Sequence, residues 1–205
     1  MLPIAGDGPV SLSSMCRDEP GATRAAESLG RPARCSVSET PAPSTPDGGG
    51  CDTDLFRRVA GHWATGVAVV TTVDAAGRPF GLTMSAVTSL SLSPMQFLIC
   101  VDERAESLAP LLASGFFCIN LLAAGQEEVS RRFASKIADK FAGVPHRIHD
   151  SAVPVLEGTV AHVVCRIASA LPGGDHRIIV GEVLDADAPG GEPLLHFRGG
   201  YRALQ

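Results

Sequence analysis

Several things are scarce in these 205 residues. Aromatic residues make up 5% of the chain, with a single Trp and a single Tyr. No apolar run approaches the ~20 residues that a membrane-spanning helix requires. The longest, such as Val67-Ala68-Val69-Val70, have the length of a strand, so no membrane partner is expected. Cations are outnumbered, 17 Lys and Arg against 22 Asp and Glu, and they form no cluster. Nucleic-acid phosphates need concentrated positive charge, so no nucleic-acid partner is expected either. The chain also lacks GxGxxG, GxxxxGK followed by Ser or Thr, HExxH and GxSxG. These absences argue against a Rossmann dehydrogenase, a phosphate-loop ATPase, a zinc protease and a serine hydrolase. Six cysteines occur with no CxxC and no zinc-like Cys/His spacing. They read as free thiols of a reducing compartment, and the cytoplasm is the expected location.

Residues 1–53 contain no aromatic residue, but seven Pro, seven Gly and seven Ser. Such a segment has too little apolar surface to offset the entropy of ordering it, and it reads as a disordered tail. Met1–Ser14 has neither the basic start nor the unbroken apolar stretch of a secretory signal, and acidic residues in the tail outnumber its four Arg, unlike a transit peptide. Residues 54–205 form the folded domain.

From Asp54 the pattern changes. Leu55, Phe56, Val59, Ala60 and Trp63 recur at helical spacing, with Thr53 or Asp54 as the expected N-cap. Thr65–Val73 reads as a β-branched strand, and Phe80–Leu92 as a second one after a turn. In that second strand Leu82, Met84, Ala86, Thr88 and Leu90 alternate with small, mostly hydroxyl-bearing residues. Met95–Val101, Phe116–Leu122, Val155–Leu171, Ile178–Leu184 and Pro193–Phe197 are further strands. Helices are expected over Glu103–Ser114, stopped by Gly115, and over Gln126–Phe141, where Val129, Phe133, Ile137 and Phe141 lie four apart. Short turns join most strands. The fold class is therefore mainly β with a few helices, an antiparallel sheet closed into a small barrel.

The stretch Gly81–Leu92 is the most informative chemically: five of its twelve residues are Ser or Thr. Small residues let a planar ligand approach the backbone and meet N–H and hydroxyl groups. Arg104 and Ser107 follow the third strand at an expected helix start, where a cation and orphan N–H groups favour a phosphate. The same hydroxyls are also what a solvent-facing strand carries. His176, behind a Gly-Gly-Asp turn, reads equally as a solvated turn residue, and the remaining histidines read as structural. Phe133 sits at the spacing of a core face. Tyr201 is placed to cap the barrel or to line a pocket.

In order along the chain stand Ala64-Thr65-Gly66-Val67-Ala68-Val69-Val70-Thr71-Thr72, Gly81-Leu82-Thr83-Met84-Ser85 and Ser91-Leu92-Ser93-Pro94. Phe117-Cys118-Ile119-Asn120, Phe133-Ala134-Ser135-Lys136, Asp139-Lys140-Phe141-Ala142-Gly143 and Gly173-Gly174-Asp175-His176 follow. This series resembles the flavin reductase-like FMN-binding family over roughly residues 55–203. The resemblance implies a split β-barrel homodimer that binds FMN or FAD and takes hydride from NADH or NADPH. It also implies a separate flavin-dependent oxygenase as the recipient of reduced flavin. Carried onto this chain, it implies flavin contacts at Thr83, Met84, Ser85, Ala86, Val87, Ser89 and Leu90. It implies a ribityl-phosphate segment from Cys100 to Ser107, with Arg104 as the cation. Phe133 and Lys140 would lie on a helix near the flavin. Gly174 and Asp175 would face the nicotinamide, and His176 would orient it. One departure stands out: Ala105-Glu106 replaces residues that family members often have as Ser or Thr. A flavin-holding protein of the same fold without NAD(P)H turnover is the alternative, and a barrel without cofactor a third reading.

Overall fold

The computed structural model describes residues 51–204. The tail expectation for residues 1–50 lies outside them. The folded part begins slightly earlier than expected, because helix α1 (Thr53–Gly61) is capped by Asp52, whose carboxylate accepts from the Leu55 N–H at 2.7 Å. Asp52 occupies the non-helical position from which a side-chain oxygen can reach the first turn, so neither Thr53 nor Asp54 is the cap.

Strands β1 (Thr65–Gly66), β2 (Ala68–Val73), β3 (Pro79–Met84), β4 (Val87–Leu92) and β5 (Met95–Asp102) come first. Then follow α2 (Leu108–Ser114), β6 (Phe116–Leu121) and α3 (Glu127–Ala134). The chain continues through β7 (His146–Ile148), β8 (Pro154–Leu156), β9 (Ala161–Gly173) and β10 (His176–Asp187), and finishes with β11 (Leu195–Phe197) and β12 (Gly200–Arg202). Seven strands form one antiparallel sheet in the order β3-β2-β6-β9-β10-β5-β4. Its two outermost strands, β3 and β4, are joined in sequence by Ser85-Ala86 alone. Two residues bridge only about 11 Å between the flanking Cα atoms. The sheet must therefore curl until its edges nearly meet, and it does so without pairing them. This is the expected split barrel.

Its interior holds the core. Ala68 and Val70 of β2, Ile99 and Val101 of β5, Phe117 and Ile119 of β6, Cys165 of β9 and Ile179 of β10 form one buried cluster, with Leu108 and Leu111 of α2 across it. The alternate residues of β2 face outward, where Val67 and Val69 pack with Phe133, Phe141 and Leu194. With both faces covered, all six residues of β2 are buried.

Five expected elements need correction. The Thr65–Val73 strand is divided into β1 and β2, which belong to different sheets. The Phe80–Leu92 strand is two strands, broken at Ser85-Ala86 where the chain crosses the split. The Val155–Leu171 strand is likewise divided into β8 and β9. The Glu103–Ser114 helix begins only at Leu108, because residues 103–107 are held in turns by Ala105 N–H to Asp102 carbonyl and Leu108 N–H to Ala105 carbonyl bonds. The Gln126–Phe141 helix stops at Ala134. There Ser135 turns extended (ψ 172°) and its hydroxyl donates to the Arg132 carbonyl at 2.7 Å. Gly115 does end α2, in the left-handed conformation at φ 74°.

Candidate flavin and nicotinamide site

A chain of clefts follows the β3–β4 crossing on the outside of the barrel. Thr83, Met84 and Ser85 line one of about 210 Å³ together with Ser130, His196 and Tyr201. Ser85, Ala86, Val87 and Cys100 line a second of about 470 Å³, whose other wall includes Trp63, Thr65 and His196. Ser85, Val87 and Ser89 reach a third, of about 540 Å³, also bordered by Trp63 and Thr65. In the other direction, Thr83 leads to a fourth, of about 220 Å³, containing Arg104, Ser107, Lys136 and Lys140. Strand alternation explains why β5 contributes Leu98 and Cys100 here: Ile99 and Val101 point into the barrel.

The apolar-walled clefts hold hydroxyls whose partners can be counted. Thr83 is committed, donating to the Ser130 carbonyl at 2.6 Å, so a ligand would meet its backbone and not its side chain. Ser130 in turn shares a 2.8 Å hydrogen bond with the Tyr201 hydroxyl. Thr65 is different: its Oγ1 is buried and has no hydrogen-bond partner among the described residues. Buried polar atoms are nearly always satisfied, so an orphan beside two clefts marks a place where a polar ligand edge fits. The exposed Ser85-Ala86 link, the orphan hydroxyl and the indole of Trp63 together suit a flat heterocycle with polar edges.

The basic end is built by the loop after α3. Arg132 Nε donates to the Lys140 carbonyl at 2.8 Å, folding the 135–142 segment back beneath the helix end. The Lys140 ammonium then donates to the carbonyls of Phe133 at 3.0 Å and Gly81 at 3.3 Å. Partial burial lowers its pKa from the ordinary lysine value. Among the described residues it has no carboxylate within salt-bridge distance. Lys140 thus borders the basic cleft, from a loop and not from the helix. Phe133 has its ring in the core, as its helical spacing suggested, 1% exposed and edge-on to Phe141 at 4.9 Å, and the residue also borders the basic cleft. Its contribution is the carbonyl that holds Lys140.

Arg104 also differs from expectation. It sits in the turn before α2, not in the helix, and forks onto Asp102 with contacts of 3.1 and 2.8 Å. That pairing holds the Asp102 carboxyl far below the usual carboxylate range. Much of the Arg104 charge is thus compensated, leaving Lys140 as the better anion partner. Ser107 is buried, its hydroxyl directed to the Gly81 carbonyl at 3.5 Å. Leu90 lines none of these clefts. It is the bulge residue between the Ser89 and Ser91 pairs and points partly to solvent.

Gly174 and Asp175 form the two-residue tip between β9 and β10. Gly174 takes φ 72°, the glycine-favouring first position of such a hairpin. His176 pairs in register with Asp102, and the Glu103 N–H donates to the Asp175 carbonyl at 3.0 Å. The tip is therefore pinned beside the Arg104 turn. His176 Nδ1 lies 2.7 Å from the Asp175 carboxylate, which lowers the Asp175 pKa. His196, Trp63 and Thr65 are the site residues that sequence reasoning passed over. The β1–β11 pairing of Thr65 with His196 brings them together across 131 positions of chain.

A β-barrel split beside a hydroxyl-lined cleft, with a nearby lysine and a Gly-Asp-His hairpin, defines a flavin-binding oxidoreductase fold. Residues 60–205 match the flavin reductase like domain, and the chain belongs to that family. It is 38% identical over 157 residues to the reductase subunit HsaB of a flavin-dependent monooxygenase from Mycobacterium tuberculosis, covering 75% of this chain and 83% of that protein. It is 41% identical over 155 residues to a flavin reductase (NADH) of Kitasatospora aureofaciens, covering 73% and 81%. Among solved structures, the Streptomyces globisporus NADH:FAD oxidoreductase SgcE6, in complex with NAD and FAD fragments, superposes with a TM-score of 0.72 at 39% identity. That superposition covers 75% of this chain and 93% of the other.

Proposed function

We propose that this chain is the NAD(P)H-dependent flavin reductase of a two-component system, reducing FMN or FAD for release to a separate oxygenase. The observation that carries the reading is the unpartnered Thr65 hydroxyl beside the open Ser85-Ala86 crossing, in a chain of this family. The two cofactors supply the chemistry, hydride from the nicotinamide and a two-electron acceptor in the flavin. The protein's work is placement. Thr65, Ser85 and the Thr83–Val87 backbone hold the polar ring edge, Lys140 holds the phosphate, and Trp63 borders the ring cleft. His176, oriented by Asp175, addresses the nicotinamide. That hairpin favours turnover over simple flavin storage, which requires no second face.

The same surface supports a homodimer. Phe56 and Val59 of α1 are each 64% exposed, Trp63 is 78% exposed, and Leu92 and Met95 are exposed at the β4–β5 end. Exposed apolar groups of this size mark an interface, and a second copy seated there would cover the Trp63 side of the clefts. The four described cysteines are free thiols, and none of the described helices is long and apolar enough to cross a membrane. We place the protein in the cytoplasm on the thiols. The test is a steady-state assay of nicotinamide oxidation crossing NADH and NADPH with FMN and FAD. Rate acceleration with at least one pair is expected, and none with any pair overturns the reading.

A further inference from the structure

Strands β1, β11 and β12 pair so that Thr65 stands opposite His196, and His196 opposite Tyr201. Residues directly opposite in antiparallel strands point to the same face. The three side chains therefore form one row with His196 at its centre. Thr65 lines the clefts of about 470 and 540 Å³, Tyr201 lines that of about 210 Å³, and His196 lines both the 210 and the 470 Å³ clefts. The His196 ring stands edge-on to Tyr201, with 6.1 Å between centres. Tyr201 is itself fixed by the Arg131 guanidinium over its face at 4.9 Å and by its bond to Ser130. His62, His146, His149, His162 and His176 each commit a ring nitrogen to a hydrogen bond. Among the described residues, His196 commits neither of its own.

The clefts also have an order. Lys140 borders the basic cleft and, on the side away from the ring clefts, a further one of about 560 Å³. Thr83 is shared by the basic cleft and the 210 Å³ cleft, and Ser85 and His196 are shared by the latter and the 470 Å³ cleft. With the phosphate at Lys140, a ribityl chain passes Thr83 and reaches the ring beside His196. That chain leaves the ring at N10, on the side that carries N1 and the C2 carbonyl; N5 and the C4 carbonyl lie on the other side. His196 therefore faces the N1–C2=O edge. Hydride from a nicotinamide adds one hydrogen at N5 and one negative charge, which resonance places on N1 and the C2 oxygen. An N–H directed at this edge binds roughly twice as strongly once its acceptor is anionic.

We propose that His196 donates a ring N–H to the N1–C2=O edge and holds the reduced flavin in preference to the oxidised one. The inference rests on the reductase reading and gives it a residue that biases the reaction toward reduction. The test is anaerobic titration of the full-length protein, without nicotinamide, with FMN and FAD in oxidised and dithionite-reduced form. His196→Phe keeps an aromatic ring beside Tyr201 and removes the donor. It should weaken the reduced flavin about tenfold and leave the oxidised flavin within about twofold. That differential, about fivefold or more, lowers the two-electron potential of the bound flavin by about 20 mV or more. His196→Gln, which keeps an N–H, should recover most of the difference. Nitrogen-15 spectra of wild-type histidine rings need no variant: one ring should shift further with reduced than with oxidised flavin. Equal losses of both forms in His196→Phe, no loss of either, no recovery in His196→Gln, or unmoved ring signals overturns the proposal and leaves the reductase reading intact. Failure of both oxidised flavins to bind the wild type overturns both.

Discussion

The ammonium of Lys140 lies 3.0 Å from the carbonyl oxygen of Phe133, so a loop residue is held by the last turn of the helix that precedes it. A second carbonyl, from Gly81 on β3, completes the clamp at 3.3 Å. The contact ties helix, loop and barrel together at the basic end of the site. It positions a partly desolvated charge where a phosphate can reach it.

Replacing Lys140 with Met should weaken flavin binding about tenfold, the scale of one charge-assisted hydrogen bond at about 1.5 kcal/mol. The lowered Lys140 pKa adds a pH signature. A base whose pKa is depressed loses its proton earlier as pH rises, so phosphate-dependent affinity should fall below the ordinary lysine value of 10.5. Fluorescence titration of FMN from pH 7 upward checks this. Lys140→Met should be flat over the same range.

Gly81 predicts a second effect. A Cβ there would lie 2.6 and 2.7 Å from ring atoms of Phe133. Gly81→Ala should therefore destabilise the fold by about 1–3 kcal/mol and weaken flavin binding as the Gly81 carbonyl shifts. In Gly181→Ala the new methyl would meet Phe117 at 2.5 Å and Cys165 at 2.7 Å inside the barrel. That variant should lose comparable stability but keep its flavin affinity. Thermal unfolding and flavin titration of both proteins distinguish site from scaffold.

His176→Ala should raise the KM for the nicotinamide about tenfold and leave the flavin dissociation constant within about twofold. Asp175→Ala should do the same to a smaller degree, because it frees the His176 ring from its 2.7 Å partner. Equal damage to flavin binding in both variants would instead place the hairpin in the flavin pocket.

Burial pushes the thiols of Cys118 and Cys165 up to about 12. At pH 8 that leaves about one in ten thousand as the reactive thiolate. A thiol reagent applied to native protein should spare both, and peptide mapping should find them modified only after denaturation.

Trp63→Glu combined with Leu92→Asp should convert a dimer into a monomer in sedimentation velocity, since each places a charge on an exposed apolar surface. A monomeric wild type would remove the homodimer proposal.

The order of strands, the barrel class and most of the hydroxyl-bearing ribbon were legible because they depend on local periodicity and turn chemistry. Two errors come from periodicity read as continuous structure. Phe141 keeps the four-residue spacing of Val129 and Phe133 and does reach the same core, yet it arrives by a loop after the helix has stopped at Ala134. Met84 and Val87 both pack on the barrel core although they are three apart, so the inward face changes parity at Ser85-Ala86, a phase shift that an alternation read straight through Leu82, Met84, Ala86, Thr88 and Leu90 does not register.

Local composition alone determined that this chain makes an antiparallel β fold with a small-residue ribbon and a Gly-Asp-His turn. Tertiary structure decided which groups are free to act. It buried Phe133, engaged Arg104 with Asp102, brought Thr65 to His196, and left Lys140 between two clefts. The physical reason is that a hydrogen-bond or ion-pair partner is chosen by proximity in three dimensions, and curling the sheet until β3 meets β4 sets that proximity.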